Sequence, residues 1–551
     1  MNYQKLILIF LTIFNLELYA SCNDEQYYEQ GTTNCIDKSN ANTNSVFLPT
    51  LSKEQRVKQG SQIEIDFKIY NSLKFLLPTS PTNSRLTQGS SRCSFKDEQF
   101  TDVPTNNSIT NPDYLAFYKD PKFNAIVTRI TDRINQNDDP TEDSSGNRRS
   151  RGNAHPYPKT QAWNSDMSII RLGYRLYDAN SFKELNITSG TDSLSELYNI
   201  NGALSERKWS NTQADVFYGH WNNQFWKGII NKKSGTIKYE HVHTFNDDEY
   251  DTFTLGKYEG NIDYNDEFIV FAARKKDEKY LTAIVYNIKT DTNTTKDIES
   301  ASWPDSGQVF DWISVSPLGN HILLSSGGEI EQYDMNLNHV RHLSDDAGHG
   351  DIGVDVDGVE TYLQYEYGDQ SGIWSYRLSD GLRRQLLPNK YNGGHISCRN
   401  YNRRGWCYLS TTAEDHKEIL ALRLDNASGT VNRLAQTHTN NTTNEHNSLG
   451  NVSPDGRRAL FYSDFGDANL NYYDRDTYHV SLCLTSIQKA ITIIANYAKD
   501  GSNAPSLSNY SEANVTGVSS SNLSTINSSI ESLNYQDVDT TYKIQAIVDN
   551  N

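Results

Sequence analysis

Apolar residues recur along most of the chain in short alternating runs bounded by Gly, Asp and Asn. Met167 to Leu172 leads to Tyr174 to Asp178 and then to Phe182 to Leu185. The same order returns from Phe268, His321, Thr361, Trp406 and Ala459, and more weakly from Trp221. Alternation of this kind, closed by turn residues, predicts β-strands, and almost no segment shows helical periodicity. Each unit is an apolar strand, a second strand, a turn and a third strand. Ser314-Val315-Ser316-Pro317-Leu318-Gly319 matches Asn451-Val452-Ser453-Pro454-Asp455-Gly456 ahead of such a strand.

The regular region runs from Asp166 to Leu484 and holds about seven units of roughly 43 to 55 residues, the length of a four-stranded propeller blade. The predicted fold is an all-β β-propeller of seven four-stranded blades, with eight as the alternative. An additional hairpin, Tyr114 to Tyr118 and Ala125 to Thr131, either closes the ring or belongs to an eighth blade. A β-helix has too short a coil for this period, and a sandwich lacks such regularity. The expected organisation is a signal peptide over 1–21, an irregular region over 22–110, the propeller over 111–485 and a C-terminal extension over 486–551. Within the extension, Gly501 to Ser532 is rich in Ser and Asn and reads as a linker or disordered tail.

Strand starts of the Ser-Pro-Asp-Gly type resemble the TolB-like and WD40-like propeller repeats of exported bacterial proteins. A narrower resemblance is to oligogalacturonate lyase and related propeller polysaccharide lyases. It implies a catalytic histidine, a metal-binding histidine one blade later, and a Gln-x-x-His-x-His cluster in the next blade before a Pro-Asp-Gly turn. Here His349, His395 and His446 have comparable order and spacing, and His446 precedes Pro454-Asp455-Gly456. Thr443 stands where the family has Gln, and Ser448 where it has its last His.

The three histidines also stand out without that resemblance. Each lies about ten residues ahead of a Gly-containing turn in its own unit, so blade geometry gathers them around one axis. The competing reading of each is a histidine that caps a turn or bonds a neighbouring blade. Elimination from a uronate polymer needs a base for the proton beside the carboxylate and a group that neutralises the carboxylate. The candidates are His349 as base, Arg399 as carboxylate partner, and His395, His446 and Glu445 as ligands of a divalent ion, Mn or Ca. Asp351, Asp355 and Asp357 alternate, and read as a turn with capping bonds rather than a calcium loop. Aromatics from His155 to Trp163 and from Tyr218 to Trp221 suit stacking on sugar rings or packing between blades.

Lys5 followed by the apolar run Leu6 to Phe14, with small residues at Ala20 and Ser21, reads as an export signal, with lipid attachment at Cys22 as an alternative. The expected locations are secreted, periplasmic or lipid-anchored at the cell envelope. Six cysteines fit an oxidising compartment. Cys398 and Cys407 are placed to bridge adjacent strands. Cys22 with Cys35, and Cys93 with Cys483, are further options. A net charge of −18 argues against nonspecific binding to nucleic acid or anionic membrane. No Gly-rich phosphate loop, Gly-x-Ser-x-Gly elbow or His-Glu-x-x-His segment is present. The leading expectation is a monomeric polysaccharide lyase acting on uronate-containing oligosaccharides. The alternative is a noncatalytic propeller that binds a glycan or protein partner.

Overall fold

The computed structural model describes the chain from 109 onward apart from short interruptions, the longest at 133–154, 190–203, 303–309 and 440–447. Before 109 it describes only the strands Gln26–Tyr28, Cys35–Asp37 and Glu98–Gln99. The first two pair as an antiparallel hairpin in a separate compact unit, 1–82. The expected signal peptide and the pairings Cys22–Cys35 and Cys93–Cys483 fall outside the described residues.

The second unit, 83–551, is a β-propeller of six antiparallel blades. Three have four strands in chain order: 250–302, 310–344 and 350–388. The blade over 205–244 and the blade over 394–436 each gain a short fifth strand, Thr188–Ser189 and Glu98–Gln99. In the last blade, strands 451–452, 458–463 and 476–481 are followed outward by Ile126–Arg129 and Phe117–Lys119. The extra hairpin therefore lies in the last blade and forms no eighth one. It ties the start of the ring to its end, with Val480 opposite Val127 and Tyr478 opposite Arg129.

Ile169–Leu172 and Arg175–Asp178 form a separate two-stranded sheet, so six full blades stand where seven were expected. Isolated bridges join Trp163 to Ile170 and Tyr177 to Glu184 on its two sides. The hairpin shares Ile169 with a core that includes Leu204 and Phe217 of the next blade. On its other side Ile170 and Leu172 pack with Leu460 of the last blade. The weak unit near Trp221 is a full blade, with Val216–Trp221 paired to Gln224–Asn231.

Blades stack face to face, which is why their middle strands are buried on both sides. Ile322, Leu323 and Leu324 illustrate this. Ile322 and Leu324 pack with Val270 and Leu281, while Leu323 packs with Tyr362 of the following blade. The turns that lead into the apolar strands share one device. Asn164, Asp263, Ser316 and Ser453 each accept from the backbone N–H five residues on, at 2.7 to 3.0 Å. Asp355 accepts from Asp357 and Val359, the capped turn expected there. Cys398 and Cys407 are disulfide-bonded.

The C-terminal extension departs from expectation. Gly501 to Ser532 is ordered, and the segment folds into helices α1 (Ser486–Asp500), α2 (Leu507–Glu512), α3 (Leu523–Glu531) and α4 (Thr541–Asp549). Its composition is polar because most positions face solvent. The few apolar ones, Ile491, Ile494, Tyr510, Ile526, Ile530 and Ile544, lie in one buried cluster. Thr485 and Gln488 form a capping box at the start of α1, and Gly501 in the left-handed region ends it. No helix among the described residues is long and apolar enough to cross a membrane.

Candidate functional site

Two of the three histidines meet. His349 lies immediately before the inner strand Gly350–Val354, and His395 on the inner strand Gly394–Ser397 of the next blade. Their ring centroids are 4.1 Å apart and tilted by 33°. The glycines beside them are required by close approach. A Cβ on Gly348 would sit 2.0 Å from the Tyr365 carbonyl, and one on Gly350 2.3 Å from that of Leu363. Gly394 has φ +103° and would meet the Ser410 carbonyl at 1.6 Å.

The segment from His155 to Asn164 precedes the repeats and supplies the remaining walls. The Tyr157 hydroxyl is 3.0 Å from Nδ1 of His349, and its ring stands edge-on to His395 at 5.2 Å. Nζ of Lys159 donates to Glu259 at 2.5 Å and lies 4.1 Å from the centre of the Trp312 ring. The segment is held by the inner strands of two blades. Ser397 donates to the Pro158 carbonyl, Asn451 to that of Thr160, and Gln161 to that of Arg399.

His349 keeps an exposed edge while its inner side is packed. Loss of solvation, then the charge of Lys159, lowers its pKa. His395 is buried, and desolvation, then His349 and Lys159, push its pKa well below the ordinary value. Both imidazoles are therefore neutral at neutral pH. Burial first, then Glu259 and Asp311, hold the Tyr157 phenol well above its usual range, so it stays protonated. Nδ1 of His395 is buried and has no hydrogen-bond partner among the described residues. An open depression reaches the exposed edge of His349, bordered by Gly328, Asp345, Asp346, Gly348 and Tyr367.

Arg399 is buried and clasps Asp351. Its Nε and one terminal nitrogen lie 3.1 and 2.9 Å from the two carboxylate oxygens, and the latter also donates to the Ile352 carbonyl. Asp351 further accepts from the Cys398 backbone N–H at 2.7 Å. The expected carboxylate partner thus already holds a protein carboxylate, and Asp351 is engaged away from any calcium loop. His446 and Glu445 lie outside the described residues. Ser448 is buried. Tyr218 stacks on Phe225 and packs in the core, the packing alternative for that aromatic group.

The repeat pattern did not disclose Tyr157, Lys159 or Glu259 as parts of this cluster. Tyr157 and Lys159 stand on a non-repeating segment, and their flanking prolines, Pro156 and Pro158, were the available signal for an extended, positioned strand.

No protein-family model matches the chain. No curated protein sequence matches it. Among solved structures, an oligogalacturonate lyase in complex with manganese is 14% identical with a TM-score of 0.45, over 71% of this chain and 99% of that one. The oligogalacturonate lyase of Vibrio parahaemolyticus is 11% identical with a TM-score of 0.43, over 66% and 96%. TolB from Acinetobacter baumannii is 14% identical with a TM-score of 0.29, over 56% and 75%. The propeller assignment rests on the order and pairing of the strands.

Proposed function

We propose that this is an exported, monomeric propeller that acts on uronate-containing oligosaccharides by β-elimination, with His349 as the base. The observation that carries the reading is a neutral, solvent-reaching imidazole whose inner nitrogen is bonded to a protonated tyrosine. If Nδ1–H donates to the Tyr157 oxygen, the outward Nε2 carries the lone pair. His349 then takes the proton beside the uronate carboxylate, the electron pair forms the C=C bond, and the glycosidic C–O bond breaks. The leaving oxygen takes up a proton from solvent.

Neutralising the carboxylate falls to other groups, because Arg399 would have to release Asp351 to reach substrate. In this reading Arg399 holds the inner strands of two blades in register beside the base. The buried Nδ1 of His395, which has no hydrogen-bond partner among the described residues, suits a metal donor, and Glu445 and His446 are the further ligands the sequence offers for a divalent ion, Mn or Ca. Bound there, such an ion would supply charge to the substrate carboxylate. The hairpin over 169–178, bridged on both sides and sharing cores with the first and last full blades, completes a seven-membered ring.

The test is incubation with a panel of uronic-acid polymers, with and without chelator, following unsaturated product by ultraviolet absorbance. Product is expected, and His349→Ala should slow it by roughly 100- to 10,000-fold. An unchanged rate removes His349 as the base. The pairing of Arg399 with Asp351 favours a second reading, a noncatalytic glycan- or protein-binding propeller. Saturable retention of an oligosaccharide without any product supports that reading.

A further inference from the structure

The geometry points to a divalent transition-metal site on the outer half of the 310–344 blade, built from Glu329, Glu331 and His342 and separate from the histidines of the inner strands. Glu329 and Glu331 alternate on the strand Glu329–Asp334 and so share one face. Register places Glu331 opposite His342 on the neighbouring strand. One donor atom from each of Glu329, Glu331 and His342 lies within 4.8 Å of the others. Donors bound at about 2.0–2.2 Å lie at most about 4.4 Å apart, so the three need to draw together by no more than a few tenths of an ångström to share one ion.

Two further observations point to a cation. The first is charge. Glu331 bonds Nδ1 of His342 and Nε2 of His339, each at 2.7 Å, and Asp345 lies 3.0 Å from Nε2 of His342. Among the described residues, no lysine or arginine is paired with Glu329, Glu331 or Asp345. Three carboxylates therefore share only imidazoles as counter-groups. The second is access. Gly328, which precedes Glu329, and Asp345 both border the open depression that reaches His349. A Cβ at Gly328 would have nothing within 4 Å, so the approach beside Glu329 is open. Mixed imidazole and carboxylate donors suit Zn, Co, Ni or Mn better than Ca or Mg. The site does not depend on the lyase reading, since none of its ligands has a part in that chemistry.

The probe is Co²⁺ added to the full-length, metal-stripped protein, read by visible absorption and by equilibrium dialysis. The wild type is expected to bind Co²⁺ with a ligand-field absorption. Glu331→Gln and His342→Ala should each weaken binding by about tenfold or more. His342 lies on the outermost strand of the blade and Glu331 on the strand beside it, and unchanged circular dichroism and melting temperature will show that the variants fold. His395→Ala separates the two candidate centres, and should leave this Co²⁺ bound. Uptake unchanged in both Glu331→Gln and His342→Ala overturns the proposal. So does uptake lost only in His395→Ala, which would assign the ion to the inner strands while leaving the uronate reading intact.

Discussion

At the scale of single residues, burial decides protonation. His155, His395 and His479 are enclosed, and desolvation lowers the pKa of each, to about 3 for His155. The unfolded chain binds protons at these sites near pH 6.5, while the folded chain does not. Stability should therefore be complete above that pH and fall as pH drops through it, by about 1.4 kcal/mol per pH unit for each such group. Urea midpoints between pH 7.5 and pH 5 on the wild type and His395→Gln check this, and the variant should show the shallower slope. The Arg399–Asp351 pair responds differently. Asp351→Ala strands a buried guanidinium, and a loss of roughly 3–5 kcal/mol is expected. Chemical denaturation measures it, and a loss below about 1 kcal/mol would mean that Arg399 finds solvent or another carboxylate.

At the scale of elements, turns and tethers place the site. His395 reaches His349 only because Gly394 passes the Ser410 carbonyl in a conformation open to glycine. Gly394→Ala should cost at least about 1–3 kcal/mol in backbone strain alone and depress the melting temperature. The Cys398–Cys407 bridge closes the turn between the first two strands of its blade, and the Cys398 N–H holds Asp351. For so short a loop, the double replacement by Ala should cost about 2.5 kcal/mol. Comparing melts of that variant with melts of the wild type under reductant tests the figure. Strand starts, capped turns and this disulfide were legible in the sequence because each depends on neighbours in the chain. The helices α1 to α4 were not, since their apolar stripe is thin and its Ser- and Asn-rich surface imitates a linker.

At the scale of the whole molecule, the ring is closed by a strand that precedes the repeats. Val127 is fully buried opposite Val480, and the charge introduced by Val127→Asp would face the core shared with Ile419 and Phe461. Loss of roughly 3 kcal/mol or more is expected, since an unpaired charge is enclosed. Limited proteolysis should then cut the last blade first, and uniform resistance would show that closure does not depend on this strand. The C-terminal helices lie on the same region, with Gln488 bonded to Thr128 and Phe117 packed on their core.

Pattern along the chain determined the class of fold, the blade period, the capped turns and the candidacy of His349 and His395. Those features rest on alternation, turn chemistry and repetition, which act locally. The tertiary structure alone decided what the cluster contains. Tyr157 and Lys159 come from a segment nearly 200 residues before His349, and chain separation carries no signal of such a meeting. It also decided that Arg399 faces Asp351, because the partner of a buried charge is set by which blades adjoin. The same is true of the outer cluster at Glu331, where cross-strand register brings together residues that read separately as ordinary surface charge.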